Sequence, residues 1–172
     1  PIVDAAAGPS FLRSGLVVLG LATLLIAALM LTVTGDVIRM LAYSSMENMG
    51  LLAIAAAAGT TLAIAAILLH VLAHGVGKTL LFLASGQLQA THDSTAIADI
   101  TGVARRSRLI GASFGIGILV LMGLPPFAMF ASELAIARSL ADAGLAWVLG
   151  AGLLLIAIAF GALARNAGRL LL

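Results

Sequence analysis

Three stretches of this chain run for 22 residues or more without a charged side chain: Ser14 to Gly35, Leu109 to Ser132 and Ala143 to Ala164. A helix crosses the hydrocarbon core of a bilayer with about 20 consecutive apolar residues. Between Asn48 and Gly77 lie 30 more residues whose only ionisable side chains are His70 and His74. That run supplies one span and part of another, so no water-soluble domain accounts for the chain.

Composition agrees. Of 172 residues 62% are hydrophobic and 9% charged, against roughly a quarter charged in a soluble domain. The net charge is +2, and the nine basic residues are scattered along apolar sequence. They read as anchors at membrane ends, not as a nucleic-acid surface. Cysteine is absent, which leaves no thiolate for an iron–sulfur cluster or a nickel site. Neither a cofactor nor a metal is expected in this chain. It begins at Pro1 without a signal peptide's charged and apolar regions, and is expected to be a fragment.

The predicted fold is all-α, a single transmembrane domain over 1–172 with five or six spans. Gly8-Pro9-Ser10 breaks the chain before a first helix from Phe11 to about Thr34. Asp36 to Tyr43 reads as a polar junction, and Ser44 to Gly59 as a second helix closed by Gly59-Thr60-Thr61. A long third helix runs from Leu62 to about Gln89, and Thr91 to Arg108 reads as a surface loop. The next span is broken at Pro125 and Pro126, since proline removes a donor and disfavours helix in the residue before it. Helices over Phe127 to Ala141 and Leu145 to Leu163 complete the set. The break is either a loop between two spans or a discontinuity inside one. With two spans, Arg39, Arg105, Arg106, Arg108 and Arg138 lie on one side and Arg13, Arg165 and Arg169 on the other; the positive-inside rule makes the former cytoplasmic. Gly111 and Gly115 form a small-xxx-small pair suited to helix packing.

Lys78 is the only lysine, and it stands more than ten residues, roughly 15 Å, from either end of its helix. His70, His74 and Lys78 follow at four-residue spacing and so share one helix face, neighbours about 6 Å apart along the axis. The plain alternative has the histidines bonding between helices and Lys78 neutralising a buried acid. A ladder of three ionisable groups favours a proton path instead, because intramembrane ionisable residues mark such paths. Histidine passes a proton near neutrality, and a buried amine loads and releases one according to the carboxylate beside it. Glu133, two turns past the proline break, stands where carbonyls freed by the break would line a wet cavity. Glu47 reads equally as an interfacial acid or a proton acceptor.

Two other motifs fail. Gly77-Lys78-Thr79 resembles the end of a phosphate loop, but Leu72 stands where that loop needs glycine. His70 and His74 match a zinc pair in spacing only, with no glutamate after the first and no third ligand near.

The run Leu41 to Gly50, reading Leu-Ala-Tyr-Ser-Ser-Met-Glu-Asn-Met-Gly, resembles the antiporter-like membrane subunits of respiratory complex I, Mrp antiporters and membrane-bound hydrogenases. So does the His-x-x-x-His-x-x-x-Lys run at His70 to Lys78, and Gly123-Leu124-Pro125-Pro126-Phe127 through Ser132-Glu133 is similar to that family's broken helix. The forms around Ser44 to Gly50 and Gly77 to Phe82 look most like component F of hydrogenase-4 and formate hydrogenlyase. The resemblance covers the C-terminal portion of that fold. Ile38 replaces the lysine of the family's Asp-x-Lys-Arg pattern at Asp36 to Arg39, which weakens a proton-loading role there.

The resemblance implies a proton-translocating, non-redox subunit of an oxidoreductase complex. Lys78 would be its relay, His70 and His74 its connections, Glu133 its exchange site and Glu47 a further member, with Asp36, Arg39 and Tyr43 in support. It also implies the bilayer of a bacterial or archaeal cytoplasmic membrane, other membrane subunits as partners, and protons as the ion. A sodium/proton antiporter of the Mrp type is the alternative, and a structural anchor or truncated remnant the third reading.

Overall fold

The computed structural model describes residues 9–172, so Gly8 lies outside the described residues. Seven helices follow one another: α1 Pro9–Val33, α2 Val37–Ala58, α3 Thr61–His92, α4 Val103–Arg106, α5 Arg108–Leu121, α6 Ala128–Asp142 and α7 Ala146–Leu171. Among the described residues there is no strand beyond one isolated bridge between Asp36 and Ala96.

Local chemistry sets the helix ends. Pro9 opens α1, at the position where its missing N–H costs nothing. The Asp36 carboxylate accepts the Arg39 N–H at 2.8 Å and starts α2. This helix begins seven residues before the expected Ser44: behind the cap, Val37, Met40 and Leu41 are buried while Arg39 turns outward. Gly59 ends it at φ 66°, and the Thr60 hydroxyl caps α3 through the Ala63 N–H at 3.0 Å. α7 also runs past its expected end at Leu163, because Asn166, Ala167 and Leu170 keep a buried face going. Asn166 Nδ2 donates to Leu31 O at 3.2 Å, and Arg165 to Thr32 O at 2.6 Å. These bonds satisfy carbonyls that the end of α1 leaves open.

The stretch after α3 is not a surface loop. Ile97, Ile100 and Val103 are buried in one cluster with Leu41, Leu88 and Phe114. Thr95 O accepts the Val37 N–H at 2.9 Å and Gly35 O the Ile97 N–H at 2.8 Å, stitching this segment to the start of α2.

Among the described residues α1, α3 and α7 are each long and apolar enough to cross a membrane, and α2 and the pair α5–α6 run beside them as two further passes of the bundle. Thr60, at the head of α3, bonds Ser139 at 2.6 Å, and His70 bonds Ser132 at 2.9 Å. Further along, Gly77 packs on Val120 and Leu81 on Gly117, and near its end Leu88 and His92 share a groove with Ser107 and Ile110. Residue numbers fall from 139 to 107 as those on α3 rise from 60 to 92. One antiparallel track, α5 then the break then α6, therefore lies along the whole of α3. With 14 and 15 residues, each half is roughly 22 Å long, short of the ~30 Å core. The two halves form a single broken span.

This reassigns the charges. Arg13 donates to Ala143 O across one end of the bundle, where Arg138 also lies. Arg165 and Arg169 join Arg39, Arg105, Arg106 and Arg108 at the other, so the division is six against two instead of five against three.

Glycine sets two close helix approaches, one at the expected Gly111, where a Cβ would meet Ala104 Cα at 2.7 Å, and one between α1 and α2. A Cβ on Gly50 would meet Gly20 O at 2.9 Å and Leu24 N at 3.0 Å, so α1 and α2 cross backbone to backbone at Gly20 and Gly50. Gly111 packs against Ala104 of the short α4, and Gly115 has only Leu171 near it, at 3.8 Å.

Candidate functional site

α3 is built with its polar side inward. His70, His74 and Lys78 are 0%, 8% and 6% exposed, whereas Leu72, Val76 and Leu83 on the outer face are 71%, 72% and 67% exposed. A face so apolar has no place in water and suits hydrocarbon or another apolar surface. The four-residue spacing does what the sequence implies: the rings of His70 and His74 stack with centroids 6.3 Å apart.

Each of the three groups meets a hydroxyl on a neighbouring helix. Lys78 Nζ donates to Ser44 Oγ at 2.6 Å and to Leu41 O on α2, and Ser44 Oγ donates to the same carbonyl at 2.9 Å. His74 Nε2 lies 3.5 Å from Ser45 Oγ, and its Nδ1 is buried without a partner. His70 Nε2 lies 2.7 Å from Asn48 Oδ1 on α2, and Nδ1 lies 2.9 Å from Ser132 Oγ on α6. His70 thereby ties α3 to two other helices. The Lys78 amine makes no contact ion pair: the ion pair among the described residues is Arg138 with Asp142, 3.9 Å apart and exposed.

Glu47 is the eleventh residue of the 22 in α2. It stands midway along the helix, ten residues from its start, instead of in the first turn. It lies within electrostatic reach of Lys78 and of Glu133. Glu47 and Glu133 line one cavity of about 20 Å³ with Asn48, Leu121, Met122 and Phe160, the scale of a water site. Glu133 folds back onto the helix break, so close to Gly123 that a Cβ there would collide with its carboxylate. Gly123 itself sits at φ 61° in the turn, a conformation that disfavours any other residue. Pro125 and Pro126, which donate no N–H, hold the two halves of the span apart.

The residues expected in support lie at one rim. Asp36, Arg39 and Tyr43 line an open groove with Thr34 and Gly35. Burial pushes the Asp36 carboxyl up. The Thr95 hydroxyl, the N–H groups of Arg39 and Ile38 and the Arg39 charge outweigh it and hold the carboxyl below its ordinary 3.8. Its bonds to the α2 start and to Thr95 give it a structural task, clamping the segment after α3. Ser44, Ser45, Asn48, Ser132 and Gly123 belong to the site as well, and the sequence reading assigned them no role. Among the described residues no cluster of three metal-ligating side chains occurs.

Residues 6–159 match the family described as NADH:quinone oxidoreductase/Mrp antiporter, transmembrane. The chain belongs to this family. It is 37% identical over 136 residues to a hydrogenase-4 component F homolog of Methylacidiphilum infernorum, a match covering 78% of this chain and 29% of that one. It is 35% identical over 172 residues to NADH-quinone oxidoreductase subunit N of Desulforudis audaxviator, covering 96% and 34%. Among solved structures, the membrane-bound sulfane sulfur reductase, an archaeal respiratory membrane complex, holds a chain superposing with a TM-score of 0.86 at 32% identity, covering 96% of this chain and 33% of that one. A chain of Thermus thermophilus respiratory complex I shares the fold with a TM-score of 0.88 at 23% identity, covering 96% and 35%. This member of the antiporter family thus spans about a third of the length of its relatives.

Proposed function

We propose that this chain is the ion-conducting portion of a proton-translocating membrane subunit, working within a hydrogenase-type or complex I-like oxidoreductase whose redox chemistry belongs to other subunits. The observation that carries this reading is the buried polar column on α3. From Lys78 through His74 to His70 it extends eight residues, roughly 12 Å along the membrane normal. Every member meets a hydroxyl or amide of α2 or α6, and Glu47 and Glu133 stand beside it on a water-sized cavity. Isolated intramembrane charges are costly, so a connected set is what a proton route requires. An inert anchor would have no use for it.

The test is ion selectivity in proteoliposomes holding the full-length subunit in its complex. Internal pH is followed by a fluorescent dye while the complex turns over. Proton translocation is expected at the same rate in sodium-free buffer as with sodium present. A rate that collapses without sodium would move the assignment to a sodium/proton antiporter.

We also infer that the face with six arginines is cytoplasmic, in a bacterial or archaeal cytoplasmic membrane. In intact cells an impermeant maleimide is expected to label Asp142→Cys, and to label Thr101→Cys only after permeabilisation. The reverse pattern inverts the topology.

A further inference from the structure

The bonds around His70 can be counted hydrogen by hydrogen. Asn48 Nδ2 donates to Ser44 O at 2.7 Å, which turns the amide oxygen toward the ring. That oxygen only accepts, so His70 Nε2, 2.7 Å away, must carry a hydrogen. A neutral ring then offers a bare lone pair at Nδ1, facing Ser132 Oγ at 2.9 Å. Ser132 Oγ also lies 2.7 Å from Met129 O, an acceptor one turn earlier on α6. The hydroxyl has one hydrogen and two places to put it.

From this we infer that Ser132 is a positioning residue that lets His70 hold either charge state with every bond made. With the ring neutral, the hydroxyl points its hydrogen at Nδ1. When Nδ1 takes up a proton, the hydroxyl turns to donate to Met129 O, and its oxygen accepts the new N–H. The proton stays on the imidazole and no bond between heavy atoms forms or breaks. Only a rotation about the Cβ–Oγ bond separates the two states.

The arrangement matters because His70 and Ser132 are both 0% exposed. Leaving a buried polar atom unpaired is costly, and more so when it is charged. Met129 follows the break at Pro125 and Pro126 by one turn, so the second acceptor is supplied by the start of α6. His74, stacked on His70, is the neighbour with which a proton would be exchanged, and its own Nδ1 is the orphaned atom. His74 has the weaker hydroxyl, Ser45 at 3.5 Å. His70 thus has every ring bond made in either charge state, whereas His74 does not.

The role of this switch in transport rests on the proposed proton path, but the switch itself has an independent readout. The full-length complex is labelled with ¹⁵N-histidine and studied in membranes by solid-state NMR at one fixed pH. The His70 signals are assigned by their loss in His70→Gln. Neutral His70 is expected to carry its hydrogen on Nε2, with Nδ1 shifted upfield by the Ser132 bond. Ser132→Ala should move the Nδ1 resonance downfield to the position of an unbonded nitrogen. It should also slow proton translocation about tenfold, the order of effect expected when one buried hydrogen bond is lost. Ser132→Thr, which keeps the hydroxyl, should restore both. A hydrogen on Nδ1 in the native protein, or an Nδ1 signal unmoved by Ser132→Ala, overturns the inference. If the tautomer responds as described while the native complex moves no protons, the switch stands and the transport reading fails.

Discussion

Replacing Lys78 by methionine is expected to stop proton translocation while leaving the subunit assembled in its complex. Methionine keeps the length and apolar volume of the lysine stem and removes the proton site. It orphans no acceptor that the bundle cannot serve: Leu41 O retains the Ser44 hydroxyl at 2.9 Å and the Ser45 hydroxyl at 3.4 Å, and Ser44 Oγ is left as a donor already used. No salt bridge is broken, because no carboxylate among the described residues lies within 4.0 Å of the amine; Glu47 loses only a positive charge within electrostatic reach. The structural cost is thus small, while loss of a proton-transferring group costs about 10²–10⁴ in rate. A fall of at least ~100-fold in dye-monitored translocation is expected, with normal recovery of the complex on purification. Translocation near the native rate in Lys78→Met would make the amine a packing element and end the relay reading. Lys78→Ala should act in the same direction but less cleanly, since it also empties the space of the stem.

Which parts of this molecule were readable without the structure follows from what decides each. The spans were readable because the bilayer imposes a length and a polarity that no tertiary detail can alter. The α3 ladder was readable because a four-residue spacing fixes a shared face before any neighbour is known. The start of α2 is not legible in the sequence, where Arg39 and Tyr43 give it the look of a polar junction; the clamp between Asp36 and Thr95 shows why the helix begins there. The segment after α3 is obscured for a related reason. Its polar residues outnumber its apolar ones, but Ile97, Ile100 and Val103 at three-residue spacing decide that it folds inward.

The proline break was ambiguous for a deeper reason. Two half-length helices look alike whether they return or continue, and only their register along α3 distinguishes the two. The same holds for the serines and Asn48. A hydroxyl in an apolar helix is unremarkable until a partner helix sets a histidine or an amine opposite it. Residues whose role is defined across an interface carry little signal in their own neighbourhood of sequence.

Gly123 is the clearest such residue, and its substitution gives the second large effect expected of this site. It holds φ 61° in the turn between α5 and α6, and the Glu133 carboxylate occupies the space where a side chain would begin. Gly123→Ala imposes about 1–2 kcal/mol of backbone strain, which a bundle of this size tolerates. The added methyl and the carboxylate cannot share that space, so Glu133 must swing away from the cavity it shares with Glu47. Displacing a reacting group by about 1 Å costs on the order of 100-fold, and that is the expected fall in proton translocation. A mutant cycle separates this from general damage. In the Glu133→Gln background, where the carboxylate proposed to exchange protons is already gone, Gly123→Ala should lower the rate little further, because the two changes would remove one function. Independent, multiplying losses would instead mean that Gly123 acts on the shape of the break alone. Full activity in Gly123→Ala would remove Glu133, in its position over the turn, from the proton path.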